Sequence, residues 1–155
     1  MKNIELLKTV SLFWDLDKTE LGYISDKMVS KKFENGNLIF LEESEGKNLF
    51  FVVEGSVKVT RLSKDGREVI LAMLNAGDFF GEMSLLDGES RSANVIALED
   101  TEVLSLYRDD FLDVLHDYPK IAIQLLKEMT SRLRKSDRQI VSLSLSDAEK
   151  RIALC

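Results

Sequence analysis

Residues 77 to 98 read Gly77-Asp78-Phe79-Phe80-Gly81-Glu82-Met83-Ser84-Leu85-Leu86-Asp87-Gly88-Glu89-Ser90-Arg91-Ser92-Ala93-Asn94-Val95-Ile96-Ala97-Leu98. Two glycines flank a Phe-Phe pair, a short apolar run follows, an Asp-Gly turn closes it, and one arginine leads into a β-prone segment. At Gly77 and Gly81 no Cβ intervenes, so the backbone can approach a bound group closely. Residues 82–86 are expected to make one helical turn whose N-terminal amides point at an anion. Arg91 adds a permanent planar cation able to grip two oxygens, with the Ser92 hydroxyl and amide beside it. Glu82 is out of place in a purely anionic site. It fits if it faces another part of the ligand, such as a sugar hydroxyl.

Working outward, the surrounding pattern is β. Glycines at 36, 46, 55, 66, 77 and 88 fall about every ten residues, the turn rhythm of a sandwich or barrel. Asn35-Gly36 and Asp65-Gly66 supply hairpin turns. Strands are expected over 38–41, 49–53, 57–61, 69–74, 93–98 and 103–107, several alternating as in Val57-Lys58-Val59-Thr60. The expected architecture is mainly β with helices: an antiparallel β-roll of the jelly-roll or double-stranded β-helix kind, flanked by N-terminal helices and a long C-terminal helix. Residues 3–28 read as helical, with Asp17 and Glu20 spaced as a capping signal, and are expected to pack on the roll as a lid.

After residue 107 the pattern turns helical again, first in a short helix with acidic residues at its start. Pro119 then opens a long helix with no breaker before residue 145. Along it Ala122, Leu126, Met129, Leu133, Ser136, Ile140 and Leu143 are spaced 4, 3, 4, 3, 4, 3, a heptad seam with charged flanks, which predicts a parallel homodimer. In that register Arg132 of one chain faces Asp137 of the other. Ser146 and Asp147 are expected to cap a further helix over 148–154.

Composition excludes several function classes. A net charge of −6 argues against nucleic acid binding by these residues. One histidine, His116, and one cysteine, Cys155, cannot build the usual metal clusters, a disulfide framework or an iron–sulfur centre. No metal is therefore expected and the chain is read as a non-enzyme. No targeting or spanning segment is visible, so the expectation is a cytoplasmic protein without membrane contact.

Phe80-Gly81-Glu82-Met83-Ser84-Leu85-Leu86-Asp87-Gly88, Arg91-Ser92-Ala93 and the run from Ala97 to Leu104 resemble the phosphate-binding cassette of cyclic-nucleotide-binding domains. More narrowly, Phe33-Glu34-Asn35-Gly36, the run from Phe51 to Val59 and the helix after Pro119 resemble Crp/Fnr-type transcription regulators. The resemblance implies that Gly81 and Glu82 meet the ribose and that Arg91 and Ser92 hold the cyclic phosphate. Met83, Ser84, Ala93 and Arg132 are counted among the ligand contacts on the same ground. Ser136 matches a long-helix position where the family touches the base. Asp137 matches its neighbour, where a serine reaching the partner's ligand is familiar; a carboxylate accepts hydrogen bonds but cannot donate them. Ser90, where proline is frequent, is a milder departure. The missing cysteines rule out Fnr-like oxygen sensing.

The domain reading is a helical segment at 1–28, a cyclic-nucleotide-binding β-roll at 29–107, a short helix plus dimerisation helix at 108–145, and at 146–155 the entry to a DNA-binding domain whose helix-turn-helix is absent. The expected function is effector sensing and dimerisation in a transcription regulator, with a cyclic nucleotide (cyclic AMP first, cyclic GMP also) as ligand, no further cofactor, and DNA bound only through the missing domain. The alternative is the same fold with a pocket for another effector (a cyclic dinucleotide or other small anion), or for none, acting mainly as a dimerisation module.

Overall fold

The computed structural model describes residues 2–40 and 45–154; the side chains of residues 2, 3, 136 and 139–154 lie outside the description. The chain divides into two compact units, Met1–Asp117 and Tyr118–Cys155.

In the first unit, helices α1 (Lys2–Leu7) and α2 (Lys18–Ser25), with a 3-10 turn at Ser11–Phe13 between them, precede eight strands. The strands are β1 (Val29–Phe33), β2 (Leu38–Phe40), β3 (Asn48–Glu54), β4 (Ser56–Leu62), β5 (Glu68–Asn75), β6 (Phe79–Phe80), β7 (Asn94–Ala97) and β8 (Thr101–Tyr107). Helix α3 (Glu82–Asp87) lies between β6 and β7, and α4 (Arg108–Asp117) follows β8. Two antiparallel four-stranded sheets result, ordered β1-β8-β3-β6 and β2-β7-β4-β5. This is the expected β-roll.

The core between the sheets is Phe50, Val52, Val57, Phe80, Val95 and Val103, with Phe33, Ile39, Phe40, Val59 and Leu74 packed against it. Strand β3 is buried along 49–53 because both of its faces are covered, which explains its unbroken apolar run. Phe50 stacks on Phe80 with centroids 5.2 Å apart, while Phe51 on the opposite face meets Phe13 of the N-terminal segment at 5.1 Å. Each such pair contributes about 0.5–1.5 kcal/mol beyond its buried area. The N-terminal segment therefore packs on the roll, and the Asp17–Glu20 capping box that starts α2 is formed, at 2.8 and 3.1 Å.

Several details differ from the sequence reading. Within the stretch 3–28 read as helical, a 3-10 turn at Ser11–Phe13 interrupts the helix; it buries Leu12 and Phe13 and leaves Trp14 67% exposed. Strands β1 and β6 have no counterpart among the expected strands. The alternation in β4 breaks at a register shift between Val59 and Thr60, so Thr60 is buried where a polar outward residue was expected. Residue 41, the expected end of β2, lies outside the described residues.

The second unit is one helix, α5 (Pro119–Leu154). The break expected before 148–154 is absent: Ser146 and Asp147 lie within α5, since such residues cost a helix interior only about half a kcal/mol each and no glycine or further proline interrupts it. Leu126 and Leu133 of the seam are 66% and 63% exposed. Ala122 and Met129 are half-buried. The side chains of Ser136, Ile140 and Leu143 are among those not described.

Candidate functional site

The cassette is pinned at both ends. Before it, Gly77 N–H donates to the Val52 carbonyl at 2.8 Å and Val52 N–H donates to the Asp78 carbonyl at 2.9 Å. Phe79 and Phe80 then pair with Phe51 and Phe50. After it, Asn94 and Val95 pair with Thr60 and Val59 of β4. Gly81, at φ +91°, turns the chain off β6 into α3, a conformation that non-glycine residues rarely adopt. Gly88 ends α3 with its N–H on the Ser84 carbonyl at 3.0 Å.

Arg91 sits at the centre, only 4% exposed. Its Nη1 donates to the Gly81 carbonyl at 2.9 Å and its Nη2 to the Asn48 carbonyl at 2.7 Å. The guanidinium lies over the Phe40 ring, 4.3 Å from its centroid, and 5.7 Å from that of Phe50. Nε is buried and has no hydrogen-bond acceptor among the described residues. Burial lowers the guanidinium pKa from its ordinary value, and the Glu82 charge works in the other direction. Glu82 is itself buried, at 7% exposure. Two charged residues that are usually solvated are thus drawn into the roll beside each other.

Of the residues singled out in the sequence, Gly81, Glu82, Ser84 and Arg91 come together. Ser84 and Ala93 are buried, whereas Met83 and Ser92 are exposed. The space left by the two glycines that flank Phe79 and Phe80, Gly77 and Gly81, is used by the protein itself. At Gly77 a Cβ would lie 2.7 Å from the Thr9 carbonyl, so that glycine admits the N-terminal segment rather than a ligand; at Gly81 it would lie 2.7 Å from Arg91 Nη1. Arg132, Ser136 and Asp137 share α5; Arg132 is half-buried and Asp137 exposed.

Three participants escape the sequence reading. Asn48 contributes a carbonyl, fixed by its pairing with Tyr107 and by its side chain donating to Ser105 Oγ at 2.6 Å. Phe40 contributes a ring face. Gly46 falls in the turn rhythm of the glycines, but it packs against both Ser84 and Arg91. A cavity of about 360 Å³ opens beside this group, with Gly46, Lys47, Ser84, Ser90, Tyr107 and Arg108 among its lining residues. Among the described residues no cluster of metal-ligating side chains is found, and no helix is long and apolar enough to cross a membrane.

The β-roll thus carries a pinned insert that buries one arginine beside a glutamate. Residues 30–118 match the cyclic nucleotide-binding domain model. The chain belongs to the cyclic nucleotide-binding domain family, on the branch that includes Crp-like regulators. It is 36% identical over 147 residues to the cyclic AMP receptor protein of Thermus thermophilus, covering 95% of this chain and 68% of that one. A crystal structure of the catabolite activator protein of Thermus thermophilus superposes with a TM-score of 0.80 at 36% identity, covering 86% of this chain and 63% of that one. The regulatory domain of Toxoplasma gondii protein kinase A, co-crystallised with cyclic AMP, gives a TM-score of 0.73 at 28% identity, over 84% of this chain and 49% of that one. The chain thus spans about two thirds of the length of the Crp-like relatives it matches.

Proposed function

We propose that this chain is the effector-sensing part of a Crp-type transcription regulator and that its effector is cyclic AMP. The observation that carries the reading is the buried Arg91, held on two carbonyls and an aromatic face with Nε still lacking an acceptor among the described residues. In this reading the cyclic phosphate takes the Arg91 guanidinium and the neighbouring Ser84 and Ser92 groups, and Glu82 accepts from a ribose hydroxyl. Gly81, Met83 and Ala93 supply backbone around the ligand. Arg132, Ser136 and Asp137 are the residues proposed to read the base. Two copies pair through α5, and ligand shifts the population between arrangements of that helix, which in the whole regulator governs DNA binding by a segment outside this chain.

Isothermal titration with cyclic AMP, cyclic GMP and a cyclic dinucleotide tests this, on the wild type and on Arg91→Ala. Loss of charge-assisted hydrogen bonds to phosphate is expected to weaken cyclic AMP binding by about 10- to 150-fold, equivalent to about 1.5–3 kcal/mol. Unchanged affinity in Arg91→Ala contradicts the assignment. A second reading, a different effector or none, draws on the engagement of Nη1 and Nη2 by backbone carbonyls. Heat from the dinucleotide alone, or from none of the three, favours it.

A further inference from the structure

We infer that Phe40 is a positioning residue for the anion site: its ring holds the Arg91 guanidinium in place before any ligand arrives. The inference rests on the cyclic-nucleotide reading above and adds a residue that sets how strongly that site binds. Arg91 Cζ lies over the Phe40 ring, 4.3 Å from its centroid, with the Phe50 centroid at 5.7 Å. A cation over an aromatic ring is attracted by the ring quadrupole, and more strongly where water is excluded, as it is around a side chain only 4% exposed. The ring supplies no hydrogen-bond acceptor. A guanidinium has five N–H donors. The Gly81 and Asn48 carbonyls engage Nη1 and Nη2, and Nε keeps no acceptor among the described residues. Phe40 thus adds to the hold on Arg91 without using up a donor.

The backbone of β2 is bent to aim this ring. In a regular strand neighbouring side chains point to opposite faces, and residues two apart share one. Ile39 and Phe40 are neighbours, yet both pack against the core between the sheets, while Leu38 is exposed. The pairing with β7 shows how. Leu38 faces Ile96 and Phe40 faces Val95, so β2 advances two residues where β7 advances one. An extra residue of this kind is a bulge, which re-aims a side chain. The re-aimed ring is braced by Phe50 and Phe80, with centroids 6.0 and 5.8 Å away. Phe80 directly precedes Gly81, whose carbonyl accepts from Nη1. The ring and the carbonyl that hold the guanidinium therefore belong to one packed group. An arginine ordered in this way loses little further freedom on binding. Ordering one long side chain only when the ligand arrives would weaken affinity by about 2- to 12-fold.

The test replaces Phe40 by leucine and, through nonsense suppression, by mono-, di- and trifluorophenylalanine. The fluorinated rings keep the shape of phenylalanine while draining electron density from its face step by step. Equilibrium binding of cyclic AMP to Phe40→Leu is expected to be about 2- to 12-fold weaker than to the wild type, and to fall stepwise along the fluorinated series towards the leucine value. A fluorinated series that binds like the wild type, whatever Phe40→Leu does, assigns Phe40 to packing alone and overturns the inference. A second reading needs no ligand. Nε is bonded to the Cζ that lies over the ring, so its proton is within reach of the Phe40 ring current. The Arg91 Nε–H resonance of the unliganded protein is therefore expected to shift in Phe40→Leu, and an unmoved resonance overturns the inference too. Failure of the wild type to bind any cyclic nucleotide overturns the function proposed above; the resonance then decides by itself whether Phe40 holds Arg91.

Discussion

A guanidinium taken out of water needs partners, and Arg91 finds them in groups that carry no sequence signature. The Asn48 and Gly81 carbonyls and the Phe40 ring hold it, and Glu82 supports its charge. Arginine, glutamate and the flanking serines are legible in the sequence because their chemistry resides in side chains. Asn48 is not, because a backbone acceptor looks the same at every position, and Gly46 is not, because what it contributes is a missing side chain. Gly81 is the residue on which the arrangement turns. Alanine there would adopt φ +91° at a cost of about 1–2 kcal/mol, and its Cβ would lie 2.7 Å from Nη1. Gly81→Ala is therefore expected to lower the urea midpoint with little change in m-value and to weaken cyclic AMP binding. An unaltered midpoint contradicts the account of this turn.

Among the elements, α2 and α4 are tied by Tyr23, whose hydroxyl donates to Asp117 Oδ2 at 2.8 Å, while Lys27 lies 4.9 Å from the Tyr23 ring and 3.9 Å from Asp110. The bond from Tyr23, and secondarily one from His116, holds the Asp117 carboxyl below its ordinary 3.8. The bond to Asp117 also raises the Tyr23 phenol above its ordinary 10.0. Both groups are solvent-facing, so the effect is small and screened. The signs are opposite. The depressed Asp117 contributes stability above pH 3.8 that is lost as pH falls through its folded value. The raised Tyr23 contributes stability below pH 10.0 that is lost as pH rises through its folded value. Thermal unfolding across pH is expected to show Tyr23→Phe below wild type near neutrality and converging with it at both extremes; a constant offset contradicts the bond. This tie joins residues 94 apart in sequence and has no local signal. Strand β1 is hidden for a similar reason: Val29-Ser30-Lys31-Lys32-Phe33 is largely exposed and exists by pairing with β8. Strand β6, two residues long, is too short to show a period. In β5 the strand expected over 69–74 forms, and it leaves Val69, Ile70, Leu71 and Met73 exposed at a sheet edge. The capping box of α2 is legible because both of its partners lie within four residues.

For the whole molecule the seam on α5 carries the second half of the proposal. Leu126 and Leu133 are largely exposed in the single chain, and removing such side chains from water on dimerisation would contribute about 1.5–3 kcal/mol each. Sedimentation equilibrium is expected to find a dimer, and Leu126→Glu with Leu133→Glu a monomer whose β-roll remains folded. A wild-type monomer at high concentration sinks the dimer proposal. The central claim, that Arg91 holds the cyclic phosphate, is tested most directly by the NMR signal of its own Nε–H group. With nitrogen-15 labelling, and the peak assigned by its loss in Arg91→Ala, titration with cyclic AMP is predicted to move the Arg91 Nε–H resonance strongly downfield as that donor gains an anionic acceptor. A resonance that stays in place while cyclic AMP saturates the protein would contradict it.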